Sequence, residues 1–118
     1  MGEIIRTETG AYVSSTAEDA PIGSGQDILD LLALCSEIQK GVLLLEEAHL
    51  SPDFFDLSSG LAGEIMLKLS NYWVKTAVVA NLPAIPSQRF HELVYECNKG
   101  SQINFFPDTY SAAAWLTA

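Results

Sequence analysis

The amino-acid sequence predicts an α/β fold: a five-stranded, mostly parallel mixed sheet with an N-terminal hairpin and about four helices. Residues 42–45 and 76–80 are largely apolar runs without polar alternation, which is typical of central strands covered on both faces. Two strand-like segments at the start flank Glu8, Thr9 and Gly10, which suit a hairpin turn. Helical stripes separate the later strands, so right-handed crossovers between parallel strands are expected.

The sequence of the first part of the chain predicts a hairpin, a loop and the first helix. Strands are expected over residues 3–7 and 11–15, and residues 17–23 are expected to form a surface loop because they lack any period. Ser24 precedes a helical stripe and Asp27 follows three residues later, a pattern that predicts a helix N-cap. The apolar stripe of this helix consists of Ile28, Leu31, Leu32 and Cys35.

The segment after the first central strand predicts a helical connection. Ser51 is the expected N-cap, Pro52 suits the first helical position, and Asp53 favours the positive end of the helix dipole. Serine and glycine at residues 58–60 leave two alternatives open: one imperfect helix, or a short turn followed by a longer helix. The expected helical body contains Leu61, Ile65, Leu69 and Tyr72.

The last part of the chain predicts two further helices and the final strand. A strand at residues 102–106 ends at Pro107, and Asp108 is expected to cap a short helix that runs through Trp115. Before that strand, Ser87 is expected to cap a helix whose stripe is Phe90, Leu93, Val94 and Cys97. The predicted order is therefore β-β-α-β-α-β-α-β-α.

The composition indicates one domain with an acidic surface. The sequence predicts a single domain over residues 1–118, and 15 acidic against 6 basic side chains give a net charge of −9. This charge repels phosphate backbones and anionic lipids, so no nucleic acid or membrane partner is expected. The chain has no signal-peptide pattern and no long apolar run, so a cytoplasmic location is expected. Cys35 and Cys97 are predicted to be reduced, buried thiols.

The carboxyl ends of the parallel strands supply a polar rim, the place where open α/β sheets bind ligands. One interpretation is a cation or acid-base site, because carboxylates suit hard metals and proton transfer. The preferred interpretation is that Asp53 and Asp108 are cap or first-turn acids while Glu46 and Glu47 face solvent. No cofactor or metal is predicted, since no phosphate-binding loop or metal-ligand spacing occurs. The candidate binding rim consists of Glu46, Glu47, His49, Asp53, Asn81 and Asp108.

Several serines, aromatic residues and one histidine have both a functional and a structural interpretation. Ser51, Ser58 and Ser59 are candidate phosphoacceptors near a helix start, or else capping and helix-interrupting residues. His91 is expected to be a partly exposed surface residue. The later aromatic residues are expected to be mostly core, whereas an exposed patch of them would mark a partner surface or a homodimer contact. These aromatic residues are Tyr72, Trp73, Phe105, Phe106, Tyr110 and Trp115.

Four collinear segments carry a family resemblance: LSPDFFDL at residues 50–57, GLAGEI at 60–65, YECNKG at 95–100 and AWL at 114–116. With these segments the chain resembles a small bacterial family known as domain of unknown function number forty-one eighty. The segments are spread along the chain, so the resemblance covers nearly all of it. That family has no established activity to carry over.

The hairpin followed by βα units also resembles, at the level of the fold, the sulfate-transporter and anti-sigma-factor-antagonist domain. In that family a phosphorylatable serine sits after a buried strand, at the start of the next helix. The resemblance implies Ser51, Ser58 or Ser59 as its counterpart here, the last two within the segment DLSSGL.

The sequence therefore favours a non-enzymatic regulatory or protein-interaction domain with a protein partner. This hypothesis depends on the strand order, the serines at a helix start and the lack of a catalytic signature. The alternative is a small-molecule or metal-binding enzyme that uses the acidic rim, and a flavodoxin-like binding module is a third class.

Overall fold

The computed structural model describes residues 2–17 and 21–118, and this part contains five strands and four α-helices in the predicted order. The elements are β1 Gly2–Thr7, β2 Gly10–Ser15, α1 Gly25–Glu37, β3 Val42–Glu46, α2 Leu61–Asn71, β4 Lys75–Val79, α3 Gln88–Asn98, β5 Ile103–Phe106 and α4 Thr109–Leu116.

The five strands form one sheet in the order β1-β2-β3-β4-β5. β1 pairs antiparallel with β2 through the hairpin, whereas β2, β3, β4 and β5 run parallel. Each crossover moves one strand further in the same direction, so right-handed connections place their helices on the same face. The predicted fold class, a mixed sheet with an opening hairpin and four helices, is confirmed.

The sheet separates two hydrophobic cores of unequal size. Helices α1, α2 and α3 share the larger core, in which Ile28, Ile65 and Phe90 are fully buried. Helix α4 packs on the opposite face, over a smaller core of Tyr12, Leu44, Ala77, Ala112 and Leu116. Burial on both faces explains why β3 and β4 have apolar runs instead of an alternating pattern.

The predicted N-caps of α1, α3 and α4 are confirmed. Ser24, Ser87 and Asp108 each accept a hydrogen bond from the backbone N–H three residues later. The bond from Ser111 lowers the pKa of the Asp108 carboxyl below its ordinary value, because it stabilises the charged form. The donors are the N–H groups of Asp27, Phe90 and Ser111, at 3.3, 3.1 and 2.7 Å.

Between β3 and α2 the second alternative is correct, since short turns precede a longer helix. Single 3-10 turns cover Glu47–His49, Pro52–Phe55 and Leu57–Ser59. Ser51 caps the second of these turns, as its hydroxyl accepts the N–H of Asp53 at 3.3 Å. Helix α2 starts after Gly60, whose φ of +82° lies in the left-handed region that favours glycine.

The predicted surface loop before α1 is wrong at Ile22. This side chain is only 1% exposed, and its backbone forms an isolated parallel bridge with Leu50. A single apolar residue between proline and glycine carries no period, so the sequence pattern could not indicate its burial. Residues 18–20 of the same predicted loop lie outside the described residues.

The prediction that the later aromatic residues are mostly core is wrong for three of them. Phe105 is buried, but Tyr72 is 57%, Trp73 87% and Tyr110 86% exposed. Tyr72 is the C-cap of α2 and Trp73 follows it, so both leave the helical stripe at the point where the helix ends.

Both cysteines are free thiols, as predicted, with Cys35 buried and Cys97 half-buried. Burial raises the pKa of each thiol above its ordinary value, which keeps both protonated and poorly nucleophilic at neutral pH.

Candidate functional site

The strands β2 to β5 all end at one side of the sheet, which we call the carboxyl edge. The predicted rim residues Glu46, Glu47, His49, Asn81 and Asp108 lie in or directly after these strand ends. They do not line one cavity. Of two concavities at this edge, Glu47 borders both, whereas Glu46, Asn81 and Asp108 border only the second, and His49 borders neither. Within residues 2–17 and 21–118, no three His, Cys, Asp or Glu side chains form a group that could hold a metal ion.

The larger concavity, here the carboxyl-edge groove, lies between the segment after β3 and the segment after β4. Its volume is about 590 Å³, within the range of roughly 300–1,000 Å³ that is usual for ligand sites. Its polar members are Glu47, Asp56 and Ser87. Its apolar walls consist of Leu50, Pro52, Phe55, Ala84, Ile85 and Pro86.

An aromatic cluster holds Phe55 in the groove. The Phe55 ring is half-buried, and its centroid lies 5.1 Å from that of Phe54 and 5.3 Å from that of Phe90. Phe54 and Phe90 are themselves buried in the larger core, at 1% and 0% exposure. Phe55 therefore offers a fixed apolar surface to a ligand, which lowers the entropy lost on binding.

Helix α3 fixes the opposite wall of the groove. The His91 ring donates a hydrogen bond through Nε2 to the carbonyl oxygen of Ile85 at 2.7 Å. Because a carbonyl oxygen only accepts, this contact assigns a proton to Nε2. His91 is half-buried, close to the predicted partly exposed position, and it anchors the loop that carries Ile85 and Pro86.

Two carboxylates give the groove its charge. Glu47 Oε1 accepts the backbone N–H of Asn81 at 2.7 Å, which ties the loops after β3 and β4 together. Asp56 Oδ1 accepts the N–H and the hydroxyl of Ser58 at 3.1 and 2.6 Å. Among the described residues that line the groove, none is basic. The groove is therefore apolar and negatively charged.

The second concavity, with a volume of about 410 Å³, lies over the ends of β3, β4 and β5. Glu46 and Asp108 border it, and Glu46 Oε1 accepts the Thr109 hydroxyl at 3.1 Å. Burial in the smaller core, with smaller contributions from Glu46 and Glu3, raises the pKa of the Tyr12 phenol above its ordinary value. Asp108 caps α4 and Glu46 binds Thr109, so these two acids have intramolecular partners, as Glu47 and Asp56 of the groove also do.

The prediction that Glu46 and Glu47 simply face solvent is wrong. Both side chains are half-buried, and both carboxylates accept hydrogen bonds, Glu47 from Asn81 in the loop after β4 and Glu46 from Thr109 in the first turn of α4. The preferred interpretation of Asp108 as a helix cap is confirmed. Asp53 is the first-turn acid of the 3-10 turn at Pro52–Phe55, also as predicted.

Ser15 supports the carboxyl edge from inside the sheet. Its side chain is 3% exposed, lies 2.8 Å from His49 Nδ1 and accepts the N–H of Glu46 at 3.1 Å. Both contacts are satisfied when the hydroxyl donates to Nδ1 and accepts from Glu46. Because this hydroxyl is buried, the Ser15 and His49 pair is a structural link and not an accessible nucleophile with its base.

The candidate phosphoacceptors have different surroundings. Ser58 and Ser59 are exposed, whereas Ser51 is half-buried. The Ser58 hydroxyl binds Asp56 at the groove, and the Ser59 hydroxyl donates to the carbonyl oxygen of Asp53 at 2.7 Å. Ser59 Oγ also accepts the N–H of Leu61 at 3.2 Å, in the first turn of α2. Modification of these serines stays a prediction.

Sequence reasoning missed Phe55, Ile85 and His91 as parts of the site. Phe55 and Ile85 lie in segments without helical or strand periodicity. The available signal was a pair of adjacent phenylalanines two residues after the capping Ser51 and Pro52, together with two prolines in a short loop before α3.

These features define an α/β domain whose sheet begins with a β-hairpin. At the carboxyl edge of the sheet lies a groove with apolar walls and acidic side chains. A family model described as a domain of unknown function (DUF4180) matches residues 7–116. The chain belongs to this family, which confirms the resemblance seen in the four segments. No curated protein and no solved structure matches the chain, and the resemblance to the anti-sigma-factor-antagonist domain stays a prediction. None of the described helices is long and apolar enough to cross a membrane.

Proposed function

We propose that this protein is a non-enzymatic, cytoplasmic interaction domain that binds a segment of a protein partner in the carboxyl-edge groove. The segment would present an apolar or aromatic side chain flanked by lysine or arginine. The observation that carries this proposal is the combination of apolar walls, a fixed Phe55 ring and two carboxylates without a lining cation.

The chemistry of the groove supports binding more than catalysis. An apolar side chain that enters it is removed from water, at roughly 25 cal/mol per Å² of buried apolar area. Glu47 and Asp56 then favour a cationic neighbour and disfavour an anionic one, which supplies specificity. The exposed Ser58 hydroxyl donates to Asp56 at 2.6 Å, but none of the described residues that line the groove is a histidine, and no group of metal ligands occurs among residues 2–17 and 21–118.

A pair of short peptides tests this proposal. A blocked Lys-Trp-Lys peptide is expected to bind with a dissociation constant on the order of 1 mM, about −4 kcal/mol, and Glu-Trp-Glu is expected not to bind. Phe55→Ala should weaken Lys-Trp-Lys binding about tenfold, since it removes the aromatic ring from the apolar wall of the groove. Binding is followed by amide chemical shifts in NMR titrations.

The matched control is Leu67→Ala, which truncates a 61% exposed side chain on α2 outside the groove. It should leave the affinity for Lys-Trp-Lys unchanged. Equal binding of both peptides, or equal affinity in Phe55→Ala and the parent protein, would contradict the proposal.

We propose further that phosphorylation of Ser58 or Ser59 regulates this binding. A phosphate adds about −1.5 to −2 charges beside Asp56 and at the start of α2, so the groove becomes more attractive to a basic segment. Ser58→Glu and Ser59→Glu are expected to tighten Lys-Trp-Lys binding by about two- to fivefold, as for exposed ion pairs.

Ser70→Glu is the control, because Ser70 is exposed in the last turn of the same helix and receives the same added charge. If it tightens binding as much as Ser58→Glu, the effect is one of net charge and the regulatory role is rejected. Mass spectrometry of protein from the native host checks whether the serines are modified.

The volume of the groove also favours a second candidate, an enzyme or binding module for a small cationic molecule. Such a ligand would use the same apolar walls and the same carboxylates. A metabolite retained through purification from the native host would favour this candidate over the interaction domain.

A further inference from the structure

The two carboxylates of the carboxyl-edge groove are partly occupied by hydrogen bonds within the chain. Asp56 Oδ1 accepts both the N–H of Ser58 at 3.1 Å and the Ser58 hydroxyl at 2.6 Å. Glu47 Oε1 accepts the N–H of Asn81 at 2.7 Å. Within residues 2–17 and 21–118, no hydrogen bond reaches Asp56 Oδ2 or Glu47 Oε2. Each carboxylate therefore keeps one oxygen that can meet a cation of the partner.

A local turn holds the Asp56 carboxylate in this arrangement. Asp56 is the N-cap of the 3-10 turn at Leu57–Ser59, and its backbone carbonyl accepts the N–H of Ser59 at 3.0 Å. An ionised carboxylate oxygen has about two acceptor sites, and the two donors of Ser58 use those of Oδ1. The side chain can therefore offer a partner Oδ2, but not both oxygens side by side.

Lysine and arginine differ in what they require of a carboxylate. The guanidinium group is a planar fork whose parallel N–H groups meet both oxygens of one carboxylate, whereas an ammonium group is a point charge that a single oxygen can meet. With both oxygens accessible, arginine would be favoured, because its fork matches a carboxylate and also stacks on aromatic rings such as that of Phe55. The two donors on Oδ1 remove this advantage at Asp56.

Glu47 does not restore the advantage of arginine. A fork on this carboxylate would have to share Oε1 with the Asn81 N–H, the bond that ties the loops after β3 and β4 together. An ammonium group that binds Oε2 leaves that bond intact. Both acids of the groove are therefore better suited to lysine than to arginine.

We propose that the carboxyl-edge groove selects lysine over arginine beside the apolar side chain of its partner, and that the Ser58 hydroxyl determines this selection by occupying Asp56 Oδ1. This inference rests on the proposed function and narrows the partner to a segment with an apolar or aromatic residue next to lysine. Ser58 acts through Asp56, so it is a positioning residue and not a contact of the partner.

A second peptide tests the selection. Blocked Arg-Trp-Arg has the same aromatic side chain and the same charge as Lys-Trp-Lys, so the two peptides differ only in their cationic groups. The protein is expected to bind Lys-Trp-Lys about threefold more tightly than Arg-Trp-Arg, on the scale of one exposed ion pair. Both titrations are followed by amide chemical shifts at the same pH and salt concentration.

Three variants test the role of the hydroxyl. Ser58→Ala removes the hydroxyl and keeps the backbone donor, and it should abolish or reverse the preference for Lys-Trp-Lys, because Oδ1 can then accept one arm of the fork. Ser58→Thr retains a hydroxyl and should keep the preference. Ser59→Ala is the matched control, because it removes an exposed hydroxyl that donates to the Asp53 carbonyl and not to Asp56. The control should bind the two peptides with the same ratio of affinities as the parent protein.

Other outcomes overturn the inference. If the parent protein binds Arg-Trp-Arg as tightly as Lys-Trp-Lys, or more tightly, the selection is rejected and the proposed function is left intact. A preference that persists in Ser58→Ala, or that Ser59→Ala also removes, rejects the role of the Ser58 hydroxyl. If neither peptide binds the parent protein, the inference and the proposed function are rejected together. The amide spectrum of each free variant shows whether it is folded, so a change in preference is not confused with unfolding.

Discussion

Phe90→Ala is expected to lower the free energy of unfolding by about 3–5 kcal/mol, the usual loss for a buried phenylalanine. The Phe90 side chain is fully buried, and its ring centroid lies 6.0 Å from that of Phe54, 5.3 Å from Phe55 and 5.7 Å from Phe105. Truncation removes the ring through which α3 packs against Phe55 of the groove and Phe105 of β5. Domains are stable by about 5–15 kcal/mol in total, so this variant should lose a large part of its stability.

Urea denaturation followed by circular dichroism measures this loss. Tyr95→Ala is the matched control, because it truncates an aromatic residue on the same helix that is 66% exposed. That control should change stability by about 0.5 kcal/mol or less. In the contrary result, Phe90→Ala leaves the dependence of the free energy of unfolding on urea concentration unchanged and lowers that free energy by less than about 1 kcal/mol. This result would mean that the aromatic cluster is not the centre of the core.

The strands and helices were predictable because each of them has its own local sequence pattern. β3 and β4 have uninterrupted apolar runs, and Ser24, Ser87 and Asp108 occupy N-cap positions where their side chains accept the expected hydrogen bonds. The order of the strands within the sheet carries no such local signal; the observed order agrees with the general tendency of sequential strands to lie side by side. Each element thus carried its own signal before any tertiary contact was known.

The groove was predictable only in its location. Strand ends placed Glu46, Glu47 and Asn81 at the carboxyl edge, but periodicity cannot tell which way a loop side chain turns. Glu47 turns toward the Asn81 N–H, and Phe55 turns onto the core, because the loops after β3 and β4 pack against each other. That packing is a tertiary property, and so is the exposure of Tyr72, because α2 ends at Asn71, one residue before this last position of the predicted stripe.

Ser15→Ala is expected to lower the free energy of unfolding by about 2 kcal/mol, within the usual range of 1–3 kcal/mol for a buried polar group left unpaired. The change removes the acceptor for the Glu46 N–H and the partner of His49 Nδ1 in a side chain that is 3% exposed. It should also loosen the segment after β3, because the His49 carbonyl accepts the Ile22 N–H at 2.8 Å and the Ile22 carbonyl accepts the Ser51 N–H at 2.9 Å.

Hydrogen exchange distinguishes this local effect from a general loss of stability. In Ser15→Ala the amides of Ile22 and Ser51 should exchange faster by more than the global destabilisation explains, since their bonds depend on the position of His49. Ser14→Ala is the control, because the half-buried Ser14 hydroxyl donates to the Ser15 carbonyl at 3.2 Å and does not touch His49 or Glu46. If both alanine variants lose the same stability and leave these amides protected, Ser15 does not hold the carboxyl edge, and the position of Glu47 in the groove must depend on its bond to Asn81 instead.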